Sequence, residues 1–142
     1  MPSFYDSITA AAPPEDVWKI LYDPARFPEW LAGVETVEPG AESADPDAAI
    51  GFTIYPAGRP DFPMPHRLQA VSEGRRVVIS CLITDLLFVW QLEPLEGGTA
   101  TRISVHVDIP ASRAHYVDTE RDVIAVSLSR LATLAFNTSQ SS

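Results

Sequence analysis

The side chains best suited to acid–base or nucleophilic chemistry are three histidines and a single cysteine: His66, His106, His115 and Cys81. A neutral imidazole accepts or donates a proton near pH 7, so each histidine is a candidate general acid or base. One cysteine excludes an intramolecular disulfide and any metal site built from several cysteines. Because no two histidines have the spacing of a zinc-binding helix, we predict no metal.

Other reaction types lack their sequence motifs. No Gly-x-Ser-x-Gly segment is present to position a serine nucleophile, and the glycines of "GRP" and "EGG" indicate turns rather than phosphate-binding loops. We therefore predict neither a nucleotide nor any other cofactor.

Two of the histidines are expected to face solvent. Apolar and polar residues alternate between residues 99 and 110, and this pattern places His106 on the polar face of its strand. His115 falls in the first turn of the predicted C-terminal helix, where a surface position is expected. Neither histidine is therefore our candidate for catalysis.

His66 is the one strongly polar group that we place on the inner face of the predicted sheet. In "FPMPHRLQAV" the preferred register turns His66 and Leu68 inward, because Leu68 then matches the apolar Val77 across the turn at "SEGR". A shift by one residue would turn Arg67 and Gln69 inward instead. In the preferred register, His66 is either a general acid or base or a strand histidine held by a backbone or water partner. Cys81 is predicted to act as a small hydrophobic residue on the same face.

The composition describes one folded domain over residues 1–142, with 46% hydrophobic and 20% charged residues. A net charge of −9 repels phosphate backbones and anionic lipids, so we predict no nucleic-acid partner. The sequence has no recognisable signal segment and no apolar run of about 18 residues, which predicts a cytoplasmic protein without membrane insertion. Both a monomer and a homodimer fit these data.

Local patterns predict the elements that position these side chains. A short first strand is followed by two short helices between residues 14 and 31, where Pro14 suits a first turn and Asp23 caps the second helix. Six further strands are predicted between residues 34 and 110, and an amphipathic helix over residues 111–136. One of these strands is "RRVVISCLIT", residues 75–84, whose inner face is predicted to hold Val77, Ile79, Cys81 and Ile83. This order indicates an α+β fold with a seven-stranded antiparallel sheet. The short helices would plug one end of the sheet and leave a cavity.

The patterns resemble a known protein family. The segments "APPEDVWKILYDPARFPEWLAGVETVE", "IGF", "LQAVSEGRRVV", "WQLEPLEGGTATRISV" and "LSRLATL" are similar to the START-related helix-grip (SRPBCC) superfamily, and most of all to its polyketide cyclase/dehydrase branch. The resemblance runs from about residue 3 to 136. It implies a sheet curved around the C-terminal helix, with a deep and mostly apolar pocket between them. The same fold serves cyclases, lipid carriers, hormone receptors and co-chaperones.

The resemblance also bears on individual positions. Cyclase members carry polar or basic groups on the strand that holds His66 and Leu68, and some carry a tyrosine at the position of Val34. His66 fits this pattern, whereas Leu68 and Val34 depart from it. His66 is accordingly the catalytic residue that we predict.

The predicted pocket lining combines inner-face strand residues with residues of the helices. The ligand-binding residues that we predict are Phe27, Leu31, Met64, Leu68, Phe88, Trp90, Ile103, Val105, Ile124 and Leu128. Phe27 and Leu31 are placed at the rim together with Trp30, and Trp18 is placed in the core. Trp90 has two interpretations, as filler of a closed core or as a stacking wall for a flat ligand.

The C-terminal helix offers few polar candidates for the pocket. Its charged cluster is interpreted as a solvated face and comprises Asp118, Glu120, Arg121 and Asp122. Arg121 has a second interpretation, as a side chain that reaches the cavity edge, because it lies seven residues before Leu128. Ser127, beside the apolar stripe, is the other polar candidate at that edge.

Two functions of different class fit such a pocket. One is an enzyme of the lyase type that binds a polyketide-like, aromatic or lipid molecule and catalyses its cyclisation or dehydration, by confinement and with His66 moving a proton. The other is a non-catalytic carrier or sensor of such a hydrophobic ligand. A protein-interaction domain is a third alternative, and it would need an exposed apolar patch.

Overall fold

Seven strands and three α-helices make up the protein, of which the computed structural model describes residues 3–40, 50–72 and 74–141. The strands are β1 (Ser3–Ala10), β2 (Val34–Pro39), β3 (Ile50–Pro56), β4 (Met64–Ser72), β5 (Arg76–Cys81), β6 (Leu87–Leu95) and β7 (Ala100–Asp108). The α-helices are α1 (Pro14–Leu21), α2 (Phe27–Trp30) and α3 (Val117–Ser141). Short 3₁₀ turns lie at Pro24–Arg26, Glu96–Gly98 and Ala111–Tyr116.

All seven strands form one antiparallel sheet in the order β1-β7-β6-β5-β4-β3-β2. Each strand pairs with its neighbour in sequence, except that β1 pairs with β7. The predicted α+β fold is confirmed: a seven-stranded antiparallel sheet, two short helices after β1 and a long C-terminal helix. The helix-grip architecture therefore follows from both the element order and the observed pairing.

Two predicted element boundaries were wrong. The strand expected to reach residue 84 ends at Cys81, so Ile83, predicted on the inner face, lies in the β5–β6 turn and is exposed. The predicted helix over residues 111–136 starts as a 3₁₀ segment, becomes α-helical at Val117 and continues to Ser141. Apolar residues continue from β5 into the turn that follows it, so alternation alone did not reveal where β5 ends.

The segment that holds α1 and α2 is shaped by its prolines. Pro14 opens α1, where its missing N–H costs no hydrogen bond. The Asp23 carboxylate accepts a hydrogen bond from the Ala25 backbone N–H at 3.2 Å and caps the following turn, as predicted. Pro28 lies in the first turn of α2, which ends at Trp30. The result is a sharp corner that directs Phe27 and Trp30 into the core.

The core lies between the inner face of the sheet and α3. The inward residues of β7 that alternation predicted, Ile103, Val105 and Val107, are fully buried. The α3 stripe that packs in the same core consists of Ile124, Leu128, Leu131 and Ala135. Burial of one strand face and one helix stripe is the arrangement that their periods of two and 3.6 residues predict.

Two buried hydroxyl groups fix the helical corner to the rest of the fold. The Ser127 hydroxyl on α3 donates to the Val123 carbonyl at 2.7 Å and accepts from the Ala32 N–H at 2.9 Å. The Thr101 hydroxyl donates to the Ala12 carbonyl at 2.8 Å. Ser127, predicted at the cavity edge, is fully buried and thus has a structural role in joining α3 to the α2–β2 connection.

We expect Ser127→Ala to lower the free energy of unfolding by about 1–2 kcal/mol, because the Ala32 N–H then loses its partner in a partly buried site. Urea denaturation of both proteins measures this difference. Ser129→Ala, an exposed position on the same helix, is the control and should change stability by less than about 0.5 kcal/mol. Equal losses in the two variants would contradict the role given to the Ser127 hydroxyl.

Candidate functional site

Two adjoining cavities separate the start of α3 from the inner face of β4, β5 and β6. The first, here the Cys81 cavity, has a volume of about 250 Å³, and the second, here the Trp90 cavity, about 230 Å³. Both are lined by Met64, His66, Phe88 and Glu120. Because these four residues are shared, the cavities form one cleft with two arms. A separate groove of about 440 Å³ beside Trp18 lies at the β4–β5 and β6–β7 turns, the opposite end of these strands.

His66 occupies the wall between the two arms. It is only 8% exposed, and its ring stacks on Phe52 with a centroid distance of 5.5 Å. The predicted inward face is confirmed, since Leu68 is fully buried while Arg67 and Gln69 are exposed. The predicted match of Leu68 with Val77 was wrong, because Leu68 pairs with Ile79 and Val77 pairs with Ala70. His66 is thus a buried polar group in a mostly apolar cleft.

The hydrogen bond of His66 defines its tautomer. Nδ1 lies 2.8 Å from the Met64 carbonyl oxygen, which only accepts hydrogen bonds, so Nδ1 carries the proton. In the neutral ring, Nε2 is then left with a lone pair that can accept a proton. The backbone contact holds the ring in place, as expected of a positioned acid–base group.

Cys81 lies directly opposite His66 in the β4–β5 ladder. Directly paired residues of antiparallel strands project their side chains from the same face, so the thiol and the imidazole share one wall of the Cys81 cavity. Burial raises the pKa of the Cys81 thiol, but hydrogen bonding with His66 and Thr84 and the charge of a protonated His66 lower it by more, to about 6. Cys81 is therefore more than the small hydrophobic residue that the sequence predicted.

Glu120 is a polar residue of the cleft that the sequence analysis missed. It was assigned to a solvated helix face, yet it lines both cavities, and burial raises the pKa of its carboxyl. Within the described residues it has no hydrogen-bond or ion-pair partner. Its spacing of four residues from Ile124 places it on the apolar stripe of α3, and that spacing was the signal available in the sequence.

Arg121 is exposed, as the interpretation of a solvated helix face predicted, and it does not reach the cleft. Its guanidinium carbon lies 5.6 Å from the centroid of the Phe4 ring, and the side chain is exposed. Besides Glu120, the charged and phenolic groups that line the Cys81 cavity are Arg113 and Tyr116, from the 3₁₀ segment before α3. Neither was selected from the sequence, because the segment was predicted as ordinary helix.

The structure brings six of the eleven predicted pocket residues together at the Trp90 cavity. These are Leu31, Met64, His66, Phe88, Trp90 and Ile124. The other five are fully or almost fully buried in the packed core and do not line either cavity; they are Phe27, Leu68, Ile103, Val105 and Leu128. Their role as ligand-binding residues stays a prediction that this closed packing does not favour.

Large aromatic side chains explain why the cleft stops short of the core centre. Trp30 packs edge-on against both Phe27 and Trp90, with ring centroids 5.4 Å and 5.3 Å apart. Phe27 and Trp30, predicted at the rim, are both fully buried, whereas Trp18, predicted in the core, is only partly buried. Trp90 is buried in the core and also lines the Trp90 cavity, so its role as a stacking wall for a flat ligand stays a prediction. The indole N–H groups of Trp30 and Trp90 are buried and have no partner within the described part of the chain.

The two remaining histidines are exposed, as expected from strand alternation for His106 and from a surface position on the predicted helix for His115. His106 is exposed on the outer face of β7, with Nε2 3.5 Å from an Asp108 carboxylate oxygen. His115 is exposed in the 3₁₀ segment, next to Tyr116. Among the residues that the structure describes, no group of three potential metal ligands is found.

Comparison with known families gives a match over almost the whole chain. A family model described as polyketide cyclase/dehydrase and lipid transport matches residues 1–135. The chain belongs to this family. No curated protein matches it by sequence. The predicted resemblance is therefore confirmed at the level of the family.

Solved structures share the fold of this polyketide cyclase/dehydrase family member at low sequence identity. XoxI from Bacillus cereus has a TM-score of 0.72 at 13% identity, covering 94% of each chain. A protein from Chromobacterium violaceum has a TM-score of 0.72 at 20% identity, covering 96% of this chain and 99% of its own. StfQ, a di-domain ARO/CYC protein of the steffimycin biosynthetic pathway, has a TM-score of 0.69 at 16% identity; the match covers 98% of this chain and 50% of StfQ. At these identities the similarity shows the fold alone.

None of the helices in the described residues is both long enough and apolar enough to span a bilayer.

Proposed function

We propose that this chain binds a hydrophobic small molecule of the polyketide-like, aromatic or lipid class in the cleft between α3 and the sheet. In this proposal the protein is a lyase-type enzyme that cyclises or dehydrates its ligand, and His66 is the general acid or base. Membership of the polyketide cyclase/dehydrase and lipid transport family supports the ligand class. The description of StfQ as an ARO/CYC protein supports the reaction class.

The observation that carries the proposal is the placement of His66. A buried imidazole with its Nδ1 proton bound to a backbone carbonyl presents Nε2 as a base inside an otherwise apolar cleft. Glu120 lines the same two cavities with a raised carboxyl pKa, so it supplies a second proton-transfer group. Cyclisation and dehydration both need one group that removes a proton and one that delivers a proton.

The cleft also limits the conformations of a flexible ligand. Its apolar walls come from both layers of the fold, with Ile79, Phe88 and Trp90 on the sheet and Ile124 on α3. Holding a chain in one folded shape removes part of the entropic barrier to ring closure, an effect that reaches several kcal/mol. No metal or nucleotide is part of the proposed mechanism.

A non-catalytic carrier or sensor is the second candidate function. It is favoured by the predominantly apolar lining of the Trp90 cavity and by the inclusion of lipid transport in the family description. The departures at Leu68 and Val34 from the cyclase pattern also favour it. The cytoplasmic location, the single domain over residues 1–142 and the monomer or homodimer state stay predictions from the sequence.

The cleft is tested by Met64→Trp, since Met64 is partly buried and lines both cavities. We expect the larger ring to occupy the shared space and to abolish saturable binding of aromatic and acyl ligands, measured by calorimetric titration with a ligand panel. Val71→Trp adds the same ring at an exposed position of β4 and should bind as the unmodified protein does. Native mass spectrometry of the purified protein identifies any ligand that copurifies. Undiminished binding by a folded Met64→Trp variant would show that the ligand site lies elsewhere.

A further inference from the structure

Cys81 has no part in the proposed reaction, although it is paired with His66. They are direct partners across β4 and β5, and both are more than nine-tenths buried. Both also line the Cys81 cavity, together with Thr84. A cysteine alone would not define a site, but here a buried imidazole faces the same cavity.

Only one of the two ring nitrogens of His66 is available to accept a proton. Nδ1 is bound to the Met64 carbonyl, and apart from Cys81 no other hydrogen-bond partner of the ring exists in the described residues. Nε2 is therefore available to the thiol or to a bound molecule. Since the net effect of burial, His66 and Thr84 is a Cys81 pKa of about 6, the thiolate is the main form at neutral pH. A thiolate is the nucleophilic form of cysteine.

We propose that Cys81 is a nucleophile that adds to the β-carbon of an α,β-unsaturated carbonyl compound bound in the Cys81 cavity, with His66 carrying the proton. His66 first takes the thiol proton. The sulfur then forms a bond to the β-carbon, and the electron pair of the C=C bond moves to the α-carbon and oxygen as an enolate. The imidazolium returns its proton to the α-carbon, which gives a saturated thioether ketone. No oxidant or second reactant is consumed, and the reverse elimination releases the ligand.

The lining of the cavity fits this ligand class. Met64, Leu86 and Phe88 provide apolar contacts for the hydrocarbon part. Arg113 and Tyr116 line the same cavity and supply hydrogen-bond donors for the oxygen, which becomes negatively charged in the enolate. Dehydration of a β-hydroxy carbonyl compound produces an α,β-unsaturated carbonyl, so the proposed function would generate molecules of this class. The addition of Cys81 to such a compound does not require that the protein also catalyse the proposed dehydration.

The covalent bond is tested with an aryl enone, 4-phenyl-3-buten-2-one. After incubation with the native protein, intact-mass analysis and peptide mapping should show one adduct, located on Cys81, and Cys81→Ser should show none. The same reaction with protein unfolded in urea measures the reactivity of Cys81 towards the enone in the unfolded chain. If the unfolded chain reacts and the native protein does not, the cavity does not admit the enone and the inference is overturned.

The role of His66 is tested by the pH dependence of the addition rate. The titratable and charged groups that face this cavity are His66 from β4, Arg113 and Tyr116 from the 3₁₀ segment, and Glu120 from α3. The rate should rise with pH with a midpoint of about 6 in the native protein. His66→Asn should move the midpoint to higher pH and slow the reaction at pH 6 by about tenfold. The fraction of Cys81 present as thiolate falls by more than about tenfold, but a more basic thiolate is a better nucleophile, and this offsets part of the loss in rate.

His106→Asn, at an exposed position on the outer face of β7, is the matched control and should leave both the midpoint and the rate unchanged. An unchanged midpoint and rate in His66→Asn would overturn the pairing. The saturated ketone 4-phenyl-2-butanone separates this inference from the proposed function. If the native protein binds the ketone but forms no adduct with the enone, the role of Cys81 as a nucleophile is overturned and the proposed function is not. If it forms the adduct but does not bind the ketone, the result counts against the reversible ligand binding of the proposed function.

Discussion

The substitution His66→Ala is expected to lower the rate of ligand turnover by about two to four orders of magnitude while ligand affinity changes little. The Met64 carbonyl sets the tautomer of the imidazole and leaves Nε2 for proton transfer, so removal of the ring eliminates that proton transfer. Confinement by the apolar walls remains and should support residual turnover. Single-turnover kinetics and ligand titration measure the two effects separately.

A control and a second variant make this prediction specific. His106→Ala removes an exposed histidine from the outer face of β7 and should leave turnover unchanged. Glu120→Gln should lower turnover if the carboxyl delivers the second proton, since the amide has nearly the same shape but no acidic proton. Turnover that survives His66→Ala unchanged would reject His66 as the acid–base group. A ligand that binds without any turnover in the native protein would favour the carrier.

Trp30→Ala is expected to lower the free energy of unfolding by about 3–5 kcal/mol. Trp30 is fully buried, and its ring contacts Phe27 on one side and Trp90 on the other. Its removal leaves a void beneath α2 that the short, proline-bounded corner cannot close without losing the Asp23 cap. Since single domains have only about 5–15 kcal/mol of stability, this loss is a large part of the total.

Chemical denaturation with two further variants identifies the cause. Trp18→Ala removes the same side chain from a partly buried position, where it stacks on Tyr22 at 5.0 Å, and should cost clearly less. Trp30→Phe keeps an aromatic contact and removes an N–H that has no partner in the described residues, so its cost should also be smaller. A similar loss for Trp18→Ala and Trp30→Ala would show that aromatic burial beneath α2 is not the main source of stability.

Local periodicity was sufficient to predict the elements and the face on which His66 lies. Side chains of a strand alternate strictly, so either His66 and Leu68 or Arg67 and Gln69 face inward, and the apolar pattern distinguished these two sets. The prolines and Asp23 likewise act within a few residues of their own position, and the corner at residues 14–31 was predicted for that reason. A single strand or turn contains the information for these features.

On α3, local periodicity was ambiguous. Successive residues of a helix are turned by about 100°, so Glu120 and Arg121 both border the apolar stripe and only packing decides which one faces inward. The structure turns Glu120 to the cleft and leaves Arg121 over Phe4. The end of β5 at Cys81 was equally hidden, because the apolar residues continue into the turn.

The sequence by itself determined the family, the sheet, the long helix and the inward position of His66, because each depends on the pattern within a segment. Only the tertiary structure decided where the cavity lies and which residues line it. The space between layers is set by the summed volumes of side chains from several elements, and here Phe27, Trp30 and Trp90 fill the centre that the sequence left open. The pairing of Cys81 with His66 and the entry of Glu120 into the cleft are likewise contacts between segments, which no single segment specifies.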